Sequence, residues 1–570
     1  MYGLMQDRPL LIASLIDYAG RYHGTREVVT RTVEGPIHRY TYAQAERRAK
    51  RLAKALMALG IKPGDRVATL AWNTFRHFEL FYGVSGVGAV LHTVNPRLFE
   101  DQIRYIVNHA EDRLVFLDTT FVELVEKLAS DLPTVERFVL LCAEDDMPET
   151  TLKGAVSYES LIAEHDDDYV WPEFDERLAS SLCYTSGTTG NPKGVLYSHR
   201  STVLHAMAAA QNSAFGLDAF DVIMPVSPMY HANGWSLPYV APMCGAKLVL
   251  PGTRMDGASI HELIDAEKVT FTCGVPTVWN LLIAYMREHG LSVDSLKSIT
   301  IGGSVVPKAM IDAFRDDYDV MVRQVWGMTE TSPLGTMSTP IPALDTLGEE
   351  DRRAILEKPG RVQFGLEIRI VDADGQPVPR DGVTFGDMWV RGAWVASGYF
   401  RGEGGDVLGD DGWFPTGDVA TLDEYGYMKI TDRTKDVIKS GGEWISSIDI
   451  ENIVSSHPRV HQAAVIGVRH AKWDERPLLI VVPTPGQDPD KRDILAHLEG
   501  RIAKWWMPDD VVLVDELPMT ATGKIHKKTL REKFADYLID NQHAEEGIRD
   551  SDDPVLDWDD ARRELLAEDE

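Results

Sequence analysis

The sequence predicts an α/β protein with a large N-terminal region over 1–432, a small α+β domain over 433–540 and an acidic tail over 541–570. Three observations carry this. Short apolar strand-like runs alternate with helical segments, which argues for largely parallel sheets. The texture changes after about Phe364 to short alternating strands and Gly-rich turns. At 570 residues and 44% apolar composition, the chain exceeds what one core usually serves.

Taken in order, Thr41 with Gln44 three residues on reads as a capping box that opens a helix through Leu52, Leu56 and Leu59 to a stop at Gly60. Val67–Trp72, Leu114–Leu117, Phe138–Leu141, Lys247–Leu250, Phe271–Val275 and Ile299–Ile301 read as buried strands. The most apolar stretch, Phe81–Val94, is broken by three glycines, so neither a membrane span nor a signal peptide is expected. Asp374-Gly375 and Asp381-Gly382 mark turns of a β-rich unit. Between Tyr427 and Gly442 a run of charges ending in Ser440-Gly441-Gly442 reads as a hinge followed by a loop. Helix and strand patterns then resume, for example Ala463–Val468. The tail, with twelve acids against three arginines, reads as mostly disordered.

Net charge is -30, and the tail supplies -9 of it. A surface of that sign disfavours nucleic acid and anionic membrane, which need clustered Lys and Arg. An anionic substrate would have to be met by local positive groups. Cys142, Cys183, Cys244 and Cys273 lie far apart in apolar surroundings, which suits a reduced, cytoplasmic protein with no cysteine metal site.

Residues 184–194, Tyr-Thr-Ser-Gly-Thr-Thr-Gly-Asn-Pro-Lys-Gly, suit a polyphosphate. Gly187, Gly190 and Gly194 permit close backbone approach; Thr185, Ser186, Thr188 and Thr189 offer hydroxyls; Lys193 brings charge. A Walker A loop needs Gly-Lys-Ser/Thr, whereas Lys193 sits between Pro192 and Gly194, so the P-loop NTPase reading fails. Trp326-Gly327-Met328-Thr329-Glu330 pairs a hydroxyl with a carboxylate, as phosphate plus Mg²⁺ requires. Asp418, ending Phe414-Pro415-Thr416-Gly417-Asp418, suits two ribose hydroxyls, and Arg433 could reach the same sugar. Lys524 ends a flexible turn that begins at Pro518.

Together, in this order, these motifs resemble the adenylate-forming superfamily of acyl-CoA synthetases, luciferases and peptide-synthetase adenylation domains, over about Tyr40 to Leu530. The resemblance implies a large N-terminal domain of two α/β subdomains plus a β-rich one, and a mobile C-terminal domain. It implies that Thr185, Ser186, Gly187, Thr188, Thr189 and Lys193 embrace the β and γ phosphates of ATP. Thr329 would contact the α-phosphate, flanked by Trp326, Gly327 and Met328, while Glu330 with Thr185 would hold Mg²⁺. Gly302, Gly303 and Ser304 would line the adenine and acyl pockets, and Asp418 and Arg433 would take the ribose. Lys524 would be the adenylation lysine and Lys435 the hinge; Gly441, Gly442 and Glu443 would meet the pantetheine tunnel of coenzyme A. His231 matches an aromatic position near the acyl carboxylate, although it equally suits a packed histidine, and Trp235 equally suits a core. One motif departs: Asp387 stands where many relatives carry Glu, and a structural role is expected there.

The resemblance further implies attack of a carboxylate on ATP to give an acyl-adenylate and pyrophosphate, then thiol attack after the small domain rotates. The chain after Lys524 is too short for an attached carrier domain, which favours free coenzyme A over carrier pantetheine, and nothing suggests luciferase-type oxygen chemistry. A non-catalytic adenylate-binding protein is the other class, against which Glu330 and Lys524 argue. The apolar neighbourhood Met229–Trp235, with a bulky Trp235, favours short or medium acids. Tyr-His-Ala-Asn-Gly-Trp at 230–235 and Trp-Gly-Met-Thr-Glu-Thr-Ser-Pro at 326–333 resemble bacterial medium-chain fatty-acid and 3-methylmercaptopropionate CoA ligases, the latter acting in dimethylsulfoniopropionate breakdown. A small carboxylic acid is therefore the expected partner, with 3-(methylthio)propionate the leading choice and a homodimer implied by the relatives.

Overall fold

A computed structural model describes residues 1, 3–185, 191–440, 443–519 and 525–538. The chain divides into two compact units. The first comprises residues 1–369, 389–415 and 423–428; the second comprises 370–388, 416–422 and 429–570.

Two α/β sheets build the first unit. The seven-stranded sheet runs Val156–Ser157, Arg137–Leu140, Leu114–Leu117, Arg66–Leu70, Val90–Thr93, Ala179–Tyr184, Gly194–Ser198. It is parallel up to its last pair, which is antiparallel. The nine-stranded sheet runs Arg361–Val362, Leu334–Met337, Met321–Gly327, Ser298–Gly302, Phe271–Gly274, Val222–Pro225, Lys247–Leu250, Glu27–Arg31, Ile37–Thr41. Its inner strands are parallel. Strands such as Val90–Thr93 and Leu114–Leu117 are buried at every position, as expected where both faces of a parallel sheet are covered. A third sheet takes the order Leu366–Val371, Phe385–Gly392, Phe414–Leu422, Met428–Arg433.

The Thr41 box forms as expected: Gln44 Oε1 accepts the Thr41 N–H at 2.8 Å, and helix Tyr42–Ala58 ends before Gly60 at φ 79°. The strand expected to reach Trp72 stops at Leu70, because the Trp72 N–H turns to the Asp118 carboxylate at 2.6 Å. The apolar stretch near Phe81 is the end of helix Phe75–Gly86, every residue of which is buried. That helix carries charge into the core. Fully buried Glu79 accepts from Arg48 Nε and from the Tyr158 hydroxyl, each at 2.7 Å. Glu159 accepts from both Arg48 terminal nitrogens at 2.9 Å and from Arg76 Nε at 2.8 Å. Burial pushes the Glu79 carboxyl up, and Arg48 opposes it.

In the second unit, a five-stranded sheet places Glu443–Ile445, Ile438–Ser440, Asp474–Pro483 and Val460–His470 in order, with Asp510–Leu513 on the far side of Asp474–Pro483. Alternation along its two long strands splits them between two cores. Val465, Leu479 and Val481 meet Ile450, Val454, Ile494 and Leu498 from two helices on one face. Ala464, Ile466, Leu478 and Ile480 meet Leu517, Leu530 and Leu538 on the other. In the stretch read as a charged hinge followed by a loop, strands Met428–Arg433 and Ile438–Ser440 flank the turn that carries Lys435, and Gly441 and Gly442 of the expected loop lie outside the described residues. The charges of this stretch hide the alternation because they are satisfied in place. Buried Asp432 accepts the Ser447 N–H at 2.7 Å, and Lys429 pairs with Asp449 at 2.9 Å. The tail from 541 lies outside the described residues. No helix among the described residues is long and apolar enough to cross a membrane.

Removing one partner of a buried ion network costs about 3–5 kcal/mol, because a charge is left uncompensated. Arg48→Met is expected to lower stability by that amount in urea titration, and Arg48→Met with Glu79→Gln to recover at least half. A loss in the single variant below about 1 kcal/mol would show that Tyr158 and Arg76 suffice.

Candidate functional site

Two adjacent parallel strands, Ser298–Gly302 and Met321–Gly327, end side by side, with Gly302 opposite Val325. Neither terminal glycine has room for a side chain. A Cβ on Gly302 would lie 2.3 Å from Val325 Cγ1, and one on Gly327 would lie 1.9 Å from the Pro333 carbonyl oxygen. Crevices past the carboxyl ends of such strands are where α/β sheets bind ligands. Gly303 and Ser304 follow there, both exposed.

The chain then makes the tight turn Thr329–Thr331. Thr331 Oγ1 accepts the Met328 N–H at 3.0 Å, the Tyr197 hydroxyl donates to the Thr329 carbonyl at 2.6 Å, and the Ala396 N–H donates to the Glu330 carbonyl at 2.8 Å. Trp326, Thr329 and Glu330 are all buried. A buried carboxylate needs donors, and the Tyr399 hydroxyl donates to Glu330 Oε1 at 2.6 Å. Burial, and then the Glu330 charge beside it, push the Tyr399 phenol up, so it stays protonated.

The candidate phosphate loop joins antiparallel strands Ala179–Tyr184 and Gly194–Ser198. Its neck is closed by the Thr185 N–H on the Lys193 carbonyl at 2.9 Å and the Lys193 N–H on Thr185 Oγ1 at 3.1 Å. Ser186, Gly187, Thr188 and Thr189 lie outside the described residues. Lys193 Nζ stands 4.8 Å from the Tyr399 ring centroid, within cation–π range. Tyr399 thus connects the loop lysine to Glu330. Sequence reasoning missed it, because Gly-Tyr-Phe at 398–400 carries no residue pattern that names a chemistry.

Asn73 shapes the segment before Trp235. Its Nδ2 donates to the Pro225 and Ser227 carbonyls at 2.9 Å, and its Oδ1 accepts the Met229 N–H at 2.7 Å. Residues Ala232, Asn233, Gly234, Trp235 and Ser236 all take positive φ, from 36° to 66°. For non-glycine residues this conformation costs roughly 1–2 kcal/mol each. Asn233 helps to hold it, donating to Ser181 Oγ at 2.6 Å and accepting from Thr93 Oγ1 at 3.0 Å. The turn delivers the buried Trp235 indole against the strand end: Cβ atoms built on Gly302 and Gly303 would lie 3.5 and 3.8 Å from it. His231 is half-buried at the start of the turn, with its N–H on the Pro228 carbonyl at 3.0 Å.

In the second unit, Arg433 Nε lies 2.8 Å from the buried Asp418 carboxylate. The Asp418 N–H donates to Thr416 Oγ1 at 3.1 Å, and Gly417 between them takes φ 71°. Lys435 is exposed in the turn after Arg433. Asp387 accepts from Thr434 Oγ1 at 2.8 Å, a structural use of the departing position. Glu443 lies in strand Glu443–Ile445, while its side chain, Gly441, Gly442 and Lys524 lie outside the described residues.

Glu330 and Thr185 offer a carboxylate and a hydroxyl, the hard oxygen donors that Mg²⁺ takes. Among the described residues no three His, Cys, Asp or Glu converge on a metal position. That donor set fits an ion shared with phosphate oxygens, the usual arrangement for Mg²⁺.

The AMP-binding enzyme family model matches residues 17–400, and the AMP-binding enzyme C-terminal domain matches 449–524. A 3-methylmercaptopropionyl-CoA ligase of Ruegeria pomeroyi is 51% identical over 538 residues, 94% of this chain and 100% of the relative. A medium-chain-fatty-acid–CoA ligase of Ectopseudomonas oleovorans is 48% identical over 539 residues, 95% and 98% of the two chains. Among solved structures, ATP-bound MatB from Rhodopseudomonas palustris matches with a TM-score of 0.76 at 25% identity, over 92% of this chain and 99% of that one.

His205 Nε2 accepts the N–H of Leu334 at 3.0 Å, just past the Glu330 turn, and burial pushes its pKa from 6.5 down to about 3. Below pH 6.5 the unfolded chain takes a proton that the folded one refuses, so stability falls as pH drops from 6.5 toward 3. The slope attributable to one such group is about 1.4 kcal/mol per pH unit. Urea midpoints between pH 7 and 5 are expected to fall more steeply for the native protein than for His205→Gln; parallel slopes would mean that His205 protonates in the folded state.

Proposed function

This chain belongs to the AMP-binding enzyme family and is an AMP-forming acid–CoA ligase, and we propose that it converts 3-(methylthio)propionate to its coenzyme A thioester. The observation that carries the length of the acid is the Trp235 indole seated on Gly302 and Gly303. A bulky ring on the main chain at a strand end limits depth and favours a short apolar acid, and a thioether fits such surroundings. The product named for the 51%-identical Ruegeria relative supports the same choice. A general medium-chain ligase is the second reading, favoured by the 48% identity to the Ectopseudomonas enzyme. We place the reaction in the cytoplasm, in dimethylsulfoniopropionate breakdown, in keeping with four free cysteines.

A carboxylate acylates poorly because its leaving group would be oxide. Attack of its oxygen on the α-phosphorus of ATP forms the acyl-adenylate and expels pyrophosphate; the thiol of coenzyme A then adds to the acyl carbon, and AMP leaves. Both partners of the first step are anions, so the site must supply positive charge. In this reading Thr185, Ser186, Gly187, Thr188, Thr189 and Lys193 donate to the β and γ phosphates, and Thr329 donates to the α-phosphate. Glu330 and Thr185 would hold Mg²⁺, which supplies further positive charge against the phosphates when bound. Trp326, Gly327, Met328, Gly303 and Ser304 line the nucleotide, Asp418 and Arg433 take the ribose hydroxyls, and His231 lies toward the acyl carboxylate. Lys524 offsets charge on the reacting phosphoryl group. Lys435 is the pivot between the two half-reactions, and Gly441, Gly442 and Glu443 meet the pantetheine arm.

AMP release with ATP, Mg²⁺ and coenzyme A, across acids from acetate to laurate, is expected to peak at 3-(methylthio)propionate, and Trp235→Ala to move the peak to longer acids. A native peak at unbranched C4 to C8 acids would make the enzyme a general ligase, and an unmoved peak in the variant would remove Trp235 from selection. Lys524→Ala is expected to lose adenylation by at least about a hundredfold, as for loss of a charge-stabilising group, yet to spare thioester formation from supplied acyl-adenylate. Equal loss of both steps would contradict a role confined to adenylation.

A further inference from the structure

We propose that Tyr399 is a positioning residue that holds the loop lysine and the turn carboxylate apart and correctly aimed for MgATP. The inference rests on the assignment of Lys193 to phosphate and Glu330 to Mg²⁺. Tyr399 meets both groups through different parts of one side chain: its hydroxyl donates to Glu330 Oε1 at 2.6 Å, and its ring faces Lys193 Nζ at 4.8 Å. A cation meant for phosphate and an anion meant for a metal ion are each other's natural partners. If they collapse together, neither is available. A neutral residue that satisfies the carboxylate with a donor and the ammonium with a π face keeps both poised, and both contacts can give way to a ligand.

The side chain is itself firmly placed. It packs beside Cys183, Val195, Tyr197 and Ala396, and its ring meets Phe414 edge-on at 6.4 Å. Its segment is tied to the turn that carries Glu330 by two further bonds, from the Ala396 N–H to the Glu330 carbonyl at 2.8 Å and from Ser332 Oγ to the Trp394 carbonyl at 2.9 Å. On the other side, Gly404 brings bare backbone up to the lysine: a Cβ there would stand 3.1 Å from Lys193 Nζ. The segment 394–404 therefore grips the loop lysine and the turn carboxylate at once, with Tyr399 between.

The test separates the two contacts by calorimetric titration of α,β-methylene ATP with and without Mg²⁺. Tyr399→Phe keeps the ring and loses the hydroxyl, so metal-free affinity should stay within twofold while the tightening brought by Mg²⁺ falls about tenfold, as for loss of one charge-assisted bond. Tyr399→Leu should weaken both. In steady state, half-saturating free Mg²⁺ should rise in Tyr399→Phe while the KM for the acid is unchanged, a split that general loosening of the fold would not give. Thermal melting within a few degrees of the native protein confirms folding of each variant; if Tyr399→Leu fails to fold, the Phe variant alone decides. Unchanged Mg²⁺ tightening in Tyr399→Phe, with loss in Glu330→Gln, overturns the role of Tyr399. Unchanged tightening in Glu330→Gln overturns the assignment of Glu330, and the inference falls with it.

Discussion

A carboxylate placed in the interior has to be held by donors, and much of the architecture around Glu330 is the arrangement that holds it. The strand Met321–Gly327 delivers it, and Gly327 lets the returning chain approach so closely that the Pro333 carbonyl occupies the space of a missing side chain. Tyr197 from the seven-stranded sheet pins the Thr329 carbonyl, and the segment around Ala396 and Tyr399 pins Glu330 at main chain and side chain. Those contacts come from elements far apart in sequence. The cost of burying one charge is thereby spread over both sheets and the segment that follows the third sheet's Phe385–Gly392 strand.

A second constraint is steric. The left-handed run from Ala232 to Ser236 holds its residues in a conformation that costs free energy at each non-glycine position. It persists because Asn233 is bonded at both ends of its amide and because Trp235 is buried with Met229 and Leu334 in the main core. The strain is offset by apolar burial. Its geometric result is an indole whose place is set by backbone on both sides, its own turn and the Gly302–Gly303 strand end. A wall set by main chain is less free to adapt than one set by side chains alone.

Much of this was legible in the sequence, for physical reasons that differ by element. The parallel strands at Leu114–Leu117 and Lys247–Leu250 were readable because both faces are covered and the runs are apolar, apart from Lys247 at the entry to the second. The Thr41–Gln44 cap was readable because its chemistry is local. Helix Phe75–Gly86 was not, since a helix buried on every side has no polar face to set a period. The strand Met428–Arg433 was obscured by charges whose partners, such as Ser447 and Asp449, lie later in the chain. The same distinction runs through the site. Thr185, Lys193, Thr329 and Glu330 stand in motifs whose residue types suit phosphate, which is why they could be put forward as candidates. Tyr399, Asn73 and Asn233 act by bonding residues more than fifty positions away, and no pattern of spacing announces such a role.

Substrate choice turns on a small energy. One extra or missing methylene changes binding by only about 1–3 kcal/mol, and 3-(methylthio)propionate differs from pentanoate by less than that, one sulfur in place of a methylene. Relatives at 51% and 48% identity carry names for a thioether acid and for medium-chain acids respectively. Small differences in pocket shape are therefore enough to move the preferred acid. An indole fixed against backbone excludes acids by length more sharply than it distinguishes sulfur from carbon. Length discrimination is then the property that the Trp235 turn can impose. In the proposed reading, preference for the thioether over an equally long fatty acid would rest on sulfur's greater polarisability against aromatic and methionine neighbours, for which Tyr230 and Met229, both buried just before the turn, are candidates.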